Sequence, residues 1–168
     1  MANYKTKLEE RSDKGPEWWQ LRSCDYYDKF EKTKIHIPAF AMEPRFSFDD
    51  EGYYSLGPAY FISSDDKYLL AIMNSKLFWY FLRKSTPVLG DDEHKGRLIL
   101  RTTYIKNSPI KIITDHAKIP IISLVDRILA AKKTDPKADT ILLEKEIDKL
   151  VYKLYGLTEE EIRLVENN

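Results

Sequence analysis

The run from Lys67 to Lys84 limits the fold more than any other part of the chain. Ser64 or Asp65 is placed to cap a helix there, and Leu69, Leu70, Ile72, Met73, Leu77, Trp79 and Tyr80 cover more than one of its faces. Such a helix is largely buried, so the rest of the chain must pack around it. The rings Phe78, Trp79, Tyr80 and Phe81 have the chemistry to stack on single-stranded bases, but their helical spacing assigns them to the core.

The surrounding layer is legible upstream. Between Lys34 and Ser63, β-branched and aromatic residues alternate with polar ones, punctuated by Pro38, Pro44, Gly52, Gly57 and Pro58, which predicts several short strands. Arg45 to Tyr54, with Asp-Asp-Glu-Gly at its centre, has the pattern of a hairpin. Before it, Trp18, Trp19, Leu21, Tyr26, Tyr27 and Phe30 crowd more aromatic area than a solvated loop carries, and are expected to dock on the core. Residues 1–15 are polar and aperiodic, as in a flexible N-terminal linker, so order is expected from near Pro16.

After a loop from Ser85 to Gly96, Leu98, Leu100, Ile105 and Ile110 predict a strand and a turn to the surface, ended as an edge by Pro109. From Pro120 the period becomes helical, with Pro120 in the first turn and Ile121, Leu124, Val125, Ile128 and Leu129 on one face until Asp135-Pro136. A second helix, Thr140 to Tyr155, places Leu143, Ile147, Leu150 and Leu154 in a narrow seam that requires a facing helix. Gly156 ends it, and Thr158 to Glu161 is a capping box for a short last helix. The fold class is therefore α/β: a small twisted sheet, antiparallel or mixed, packed on a buried helix, followed by two or three C-terminal helices. Residues 16–115 form the globular domain and 116–168 the helical spacer.

Composition removes several functions. The 168 residues carry 27 basic and 27 acidic side chains, so no net charge draws the chain to polyanions. The distribution is uneven. From Lys76 to Lys111, eight basic residues stand against three acidic ones (Asp91, Asp92, Glu93), while four face eight from Ala138 to the end. That split suits a basic functional face with an acidic helical tail turned elsewhere, and equally an ordinary surface. The single Cys24 has no disulfide partner, and His36, His94 and His116 are too dispersed for a zinc cluster. No stretch approaches the roughly 18 apolar residues of a membrane span, and no apolar leader follows the charged N-terminus. A cytoplasmic protein with no membrane association is expected.

Catalytic patterns are missing. The glycines are isolated, so no phosphate-cradling loop forms, and no motif nominates a nucleophile with its base. The acidic groups Asp49-Asp50-Glu51 and Asp91-Asp92-Glu93 read as solvated turns rather than metal ligands, and His36 as a half-buried sheet residue. Recognition remains. Arg97, Arg101 and Lys106 share one strand-and-turn region, flanked by Lys84 and Lys95, and arginines of this kind read guanine edges while lysines hold phosphates.

The order of segments resembles the TaqI-like C-terminal specificity domain of adenine-specific DNA methyltransferases and combined restriction-modification enzymes. Trp19-Gln20-Leu21-Arg22 with Tyr26-Tyr27 resembles the family's opening aromatics, and Lys34-Ile35-His36-Ile37-Pro38 its first strand. Arg45-Phe46-Ser47-Phe48-Asp49 with Gly52-Tyr53-Tyr54 is similar to its hairpin, and Tyr60-Phe61-Ile62 to the next strand. The most specific segment is Tyr68 to Tyr80, containing Asn74-Ser75-Lys76-Leu77-Phe78-Trp79. Tyr104-Ile105-Lys106 with Ser108-Pro109-Ile110 resembles the exit strand, where the family more often has leucine at the position of Ser108.

The likeness runs from about Trp18 to Gly156, and the layout is also similar to half of a type I specificity subunit. It implies a prokaryotic, non-catalytic module that binds double-stranded DNA and directs an upstream methyltransferase domain, with or without a nuclease. The Asn-Pro-Pro-Tyr motif and S-adenosylmethionine segment belong to that domain, and neither is in this sequence; no cofactor is expected here. Base contacts do not carry over by resemblance. The residues themselves nominate Arg97 or Arg101 for a base edge, Lys84, Lys95 and Lys106 for phosphates, and Arg45 as a second contact. The alternative is a protein-interaction or inhibitor module using the aromatic segment and acidic tail.

Overall fold

The computed structural model describes residues 4–20, 22, 26–55, 57–90 and 96–167. Leu21, Cys24, Asp91, Asp92, Glu93, His94 and Lys95, each given an expectation above, lie outside them. The fold is α/β, with two small antiparallel sheets and a C-terminal set of helices. Strands β1 (Lys34–Pro38), β3 (Ser47–Asp49) and β4 (Ala59–Ser63) form the first sheet in the order β3-β1-β4. The second contains β2 (Phe40–Ala41), β5 (Val88–Leu89) and β6 (Arg97–Ile99) in the order β2-β6-β5.

One residue joins the sheets. Ala39 donates its N–H to the Pro58 carbonyl (3.2 Å) and accepts from Leu100 N–H (2.9 Å), so the chain leaves one sheet and enters the other without a free backbone group there. The hairpin expected over Arg45–Tyr54 does not form. β3 pairs with β1, and Asp49 turns the chain away by accepting from Glu51 and Gly52 N–H at 2.9 and 3.0 Å, with Gly52 at φ +80°.

The helix expected from Lys67 to Lys84 is two helices, α2 (Lys67–Asn74) and α3 (Lys76–Ser85). Its cap is Asp66 rather than Ser64 or Asp65: the carboxylate accepts from Tyr68 and Leu69 N–H at 2.9 and 3.2 Å. Ser75 is the break. Its extended backbone (ψ 152°) ends α2, its hydroxyl donates to Ile72 O, and the same oxygen caps α3 by accepting from Phe78 N–H. Asn74 ties the break to the first sheet, accepting from Phe46 N–H (3.1 Å) and donating to Phe46 O (2.9 Å). The segment with the strongest family likeness is thus a structural joint.

The remaining helices are α1 (Lys5–Glu9), α4 (Thr102–Lys106), α5 (Asp115–Thr134), α6 (Ile141–Tyr155) and α7 (Glu159–Glu166). α4 replaces the expected exit strand, because after β6 the chain turns helical at Thr102. α5 begins earlier than the period suggested, capped by Thr114, so Pro120 lies inside the helix and not in its first turn. α7 carries the capping box expected of Thr158 and Glu161, and Gly156 ends α6 at φ +74°.

One core unites these parts. Ile35 and Ile37 of the first sheet, Leu98 of the second, Leu70, Met73 and Leu82 of α2 and α3, Ile121 and Val125 of α5, and Ile147 and Val151 of α6 are buried together. Leu143, Leu150 and Leu154 pack against it half-buried, and α6 faces α5 and α3. The C-terminal helices therefore pack on the same core as the sheets. The opening aromatics stand apart from this core: Phe30 stacks on Tyr54 (centroids 5.3 Å) and meets Tyr26 and Phe61, while Trp18 meets Trp19 edge-on. Tyr26, Tyr27 and Trp19 remain exposed. Residues 1–15, expected as a linker, include α1, whose Lys5 ammonium lies 5.8 Å from the Trp18 ring centre.

Candidate nucleic-acid interface

The second sheet sorts its side chains cleanly. Leu98 of β6 is opposite Ala41 and Val88, and these face the core. The alternate positions point outward: Ile99 is opposite Phe40, and Arg97 opposite Leu89. Arg101 lies beyond the strand, where its N–H bonds back to Ile99 O (3.1 Å) and the residue takes the N-cap position of the next helix. Arg97 and Arg101 are both exposed, Arg97 on the outward face of the sheet and Arg101 at its exit.

Lysines sit at the neighbouring helix ends. Lys106 is exposed in the last turn of α4, whose N-cap position is Arg101. Lys84 is exposed in the last turn of α3, where it complements the helix dipole and lies 5.5 Å from the Tyr80 ring centre. Arg45 is elsewhere. It lies in the β2–β3 connection, paired with Glu43 (Nε–Oε1 2.7 Å), beside a cleft of about 340 Å³ lined by His36, Ser47, Tyr53 and Tyr54.

Beneath that cleft is a buried ionic network that the sequence disguised as a solvated turn. The β1–β3 register sets Lys34 opposite Asp49, and Lys34 is fully buried. Its ammonium donates to Asp49 Oδ2 (2.8 Å) and to the Phe30 carbonyl (2.7 Å), while His36 Nε2 lies 3.0 Å from the same carboxylate oxygen. Burial pushes the Asp49 carboxyl up, but bonds from Lys34, His36 and the Glu51 N–H outweigh it and hold the group well below the ordinary range. A histidine-carboxylate pair beside a cleft would revive a hydrolytic reading, but the geometry gives it no working base. Nε2 is engaged by Asp49, and Nδ1 is inaccessible and unpartnered, so neither nitrogen reaches a substrate.

A larger groove of about 970 Å³ runs between the β2–β3 connection, α2, α3 and the C-terminal helices. Its charges are mixed: Lys76, Arg83, Lys132 and Lys145 against Glu43, Glu144, Asp148 and Glu166. It offers no cationic track. Asp148 caps α3 from α6 by accepting Lys76 N–H (2.9 Å), and burial, reinforced by Glu166 and Glu144, pushes its carboxyl up to about 6 despite that bond. No group of three or more metal-ligating side chains is assembled among the described residues. Nor is any of their helices long and apolar enough to cross a membrane.

Together the fold and the exposed arginine-bearing sheet define a mixed α/β module without an assembled catalytic group among the described residues. Residues 2–110 match the TaqI-like C-terminal specificity domain, and the chain belongs to that family. A type II methyltransferase, M.BanIII of Aneurinibacillus aneurinilyticus, is similar: 24% identical over 147 residues, covering 83% of this chain. The chain spans about a quarter of that relative's length (24%).

Sequence reasoning missed Phe40, Met42 and Leu89 as surface residues, although Phe40-Ala41-Met42 carries the alternation of an edge strand. It missed Lys34 and Asp49 because only the strand pairing brings the two together.

Proposed function

We propose that this chain reads a specific double-stranded DNA site and directs a linked adenine methyltransferase domain, with or without a nuclease, to it in the prokaryotic cytoplasm. Arg97 or Arg101 reads a base edge, while Lys84, Lys95 and Lys106 hold phosphates, with Arg45 as a second contact. Residues 16–115 read, and 116–168 space the module from its partner. The observation that supports this reading is the exposure of Arg97 on the outward face of the second sheet and of Arg101 just beyond it, in a chain of the specificity-domain family.

S-adenosylmethionine belongs to the partner domain. No Asn-Pro-Pro-Tyr motif occurs in this chain, and its glycines are scattered rather than gathered at a strand-helix turn. The residues present do not fit that cofactor, and the chemistry supplied here is recognition alone.

Salt dependence tests the reading. Neutralising about four phosphates gives a log-log slope near −3.6, so duplex affinity should fall about 100-fold between about 50 and 200 mM salt. A protein-interaction module working through the aromatic segment and acidic tail predicts no duplex binding, or binding that salt barely changes. Either result would displace the proposal.

A further inference from the structure

A sheet face turned to solvent normally carries polar side chains, and the second sheet does not follow that rule. Leu89 is 50% exposed and Phe40 43%, and the half-buried Ile99 lies between Phe40 and Arg97. Register puts Phe40 beside Ile99 and Leu89 beside Arg97, so these apolar groups form one patch with Arg97 set into it. The outward positions 40, 89, 97 and 99 include no carboxylate. A second copy of the same face would therefore bring arginines together unpaired. A polyanion that also offers small apolar groups satisfies both features.

Resting on the specificity reading above, we propose that this face enters the DNA major groove and that Phe40, Leu89 and Ile99 receive thymine C5-methyl groups there. The methyl is the apolar group that the major-groove edges of the base pairs present, while guanine offers O6 and N7 to an arginine. Three strands span two spacings of about 4.8 Å, which fits a groove about 12 Å wide. Leu89 and Arg97 are cross-strand partners, with side chains about 5 Å apart at the sheet, against about 3.4 Å between stacked base pairs. A thymine and a guanine therefore lie within one or two base pairs of each other in the recognised site.

The test starts from the site that the full chain enriches from random duplexes. Each thymine in it is then replaced singly by deoxyuridine, which removes only the methyl. At least one replacement should weaken binding about fourfold, the effect of losing one buried methyl. The exposed-residue variant Leu89→Ser/Phe40→Ser, checked for native circular dichroism, should bind thymine and uracil duplexes alike. An enriched site without thymine, affinity indifferent to every uracil, or sensitivity persisting in the double variant would each overturn the assignment while leaving DNA reading intact. Enrichment of no site at all would remove the specificity reading together with it.

Discussion

Replacing Asn74 by alanine isolates the joint on which both halves of the fold depend. The carboxamide satisfies both polar groups of the Phe46 backbone, accepting from its N–H at 3.1 Å and donating to its carbonyl at 2.9 Å, and Phe46 is 5% exposed. Truncation leaves one buried donor and one buried acceptor without these partners, each costing about 1–3 kcal/mol, so a loss of about 2–6 kcal/mol is expected. The third bond, to Leu70 O, shares an acceptor within reach of the helix ladder and adds little. At this chain length, with about 3 °C per kcal/mol, the loss lowers Tm by about 6–18 °C. Urea unfolding followed by circular dichroism measures it, with Asn74→Asp as control. Aspartate keeps the acceptor but sets an oxygen against the Phe46 carbonyl, so it should also destabilise. A loss below about 1 kcal/mol for alanine, with an unchanged denaturant slope, would refute the reasoning.

Lys34→Met leaves Asp49 buried without its ammonium and should cost about 3–5 kcal/mol in urea unfolding, much of it recovered when Asp49→Asn is added. Asp49 is depressed in the folded state, so its contribution is present above the ordinary carboxylate pKa and is lost as pH falls from about 4 downward; acid titration of stability should be shallower in Lys34→Met. Asp148 has the opposite sign. Pushed up to about 6, it binds its proton more tightly folded than unfolded, so wild-type stability declines as pH rises from about 4 to 6. Asp148→Asn keeps the acceptor for Lys76 N–H and removes that decline, so the variant should match wild type near pH 4 and exceed it by roughly 1–3 kcal/mol at pH 7.

Local rules were legible where a few neighbouring residues settle the structure. Thr158 and Glu161 announce their capping box, Gly156 its left-handed turn, and Leu143, Ile147, Leu150 and Leu154 their inward stripe. Non-local pairing was not legible. Asp49 looked solvated because Asp50, Glu51 and Gly52 follow it, yet its strand partner is Lys34, distant in sequence and reached only through sheet register. Ser75 looked like an ordinary helical position, but Asn74 bonds Phe46 and Asp148 reaches Lys76 N–H, and together they stabilise a break that periodicity does not see. Pro120 pointed to a helix start, whereas the Thr114 cap begins α5 earlier and the packed face of the helix outweighs one missing donor.

For the interface, the arginines at 97 and 101 were visible as charges, and the outward position of Arg97 follows from the period of a strand, whereas Arg101 lies past its end. The apolar partners were invisible because Phe40 and Leu89 come from strands on either side of β6, and only the order β2-β6-β5 makes them neighbours.

The most direct test of base reading by that face compares the duplexes enriched from a random pool by the wild-type chain with those enriched by Arg97→Ala and by Arg101→Ala. The wild type should yield one motif. At least one variant should lose preference at a single guanine position, a change of about 1–3 kcal/mol in discrimination, while the rest of the motif persists. If both variants enrich the wild-type motif with undiminished preference at every position, the second sheet does not read the bases.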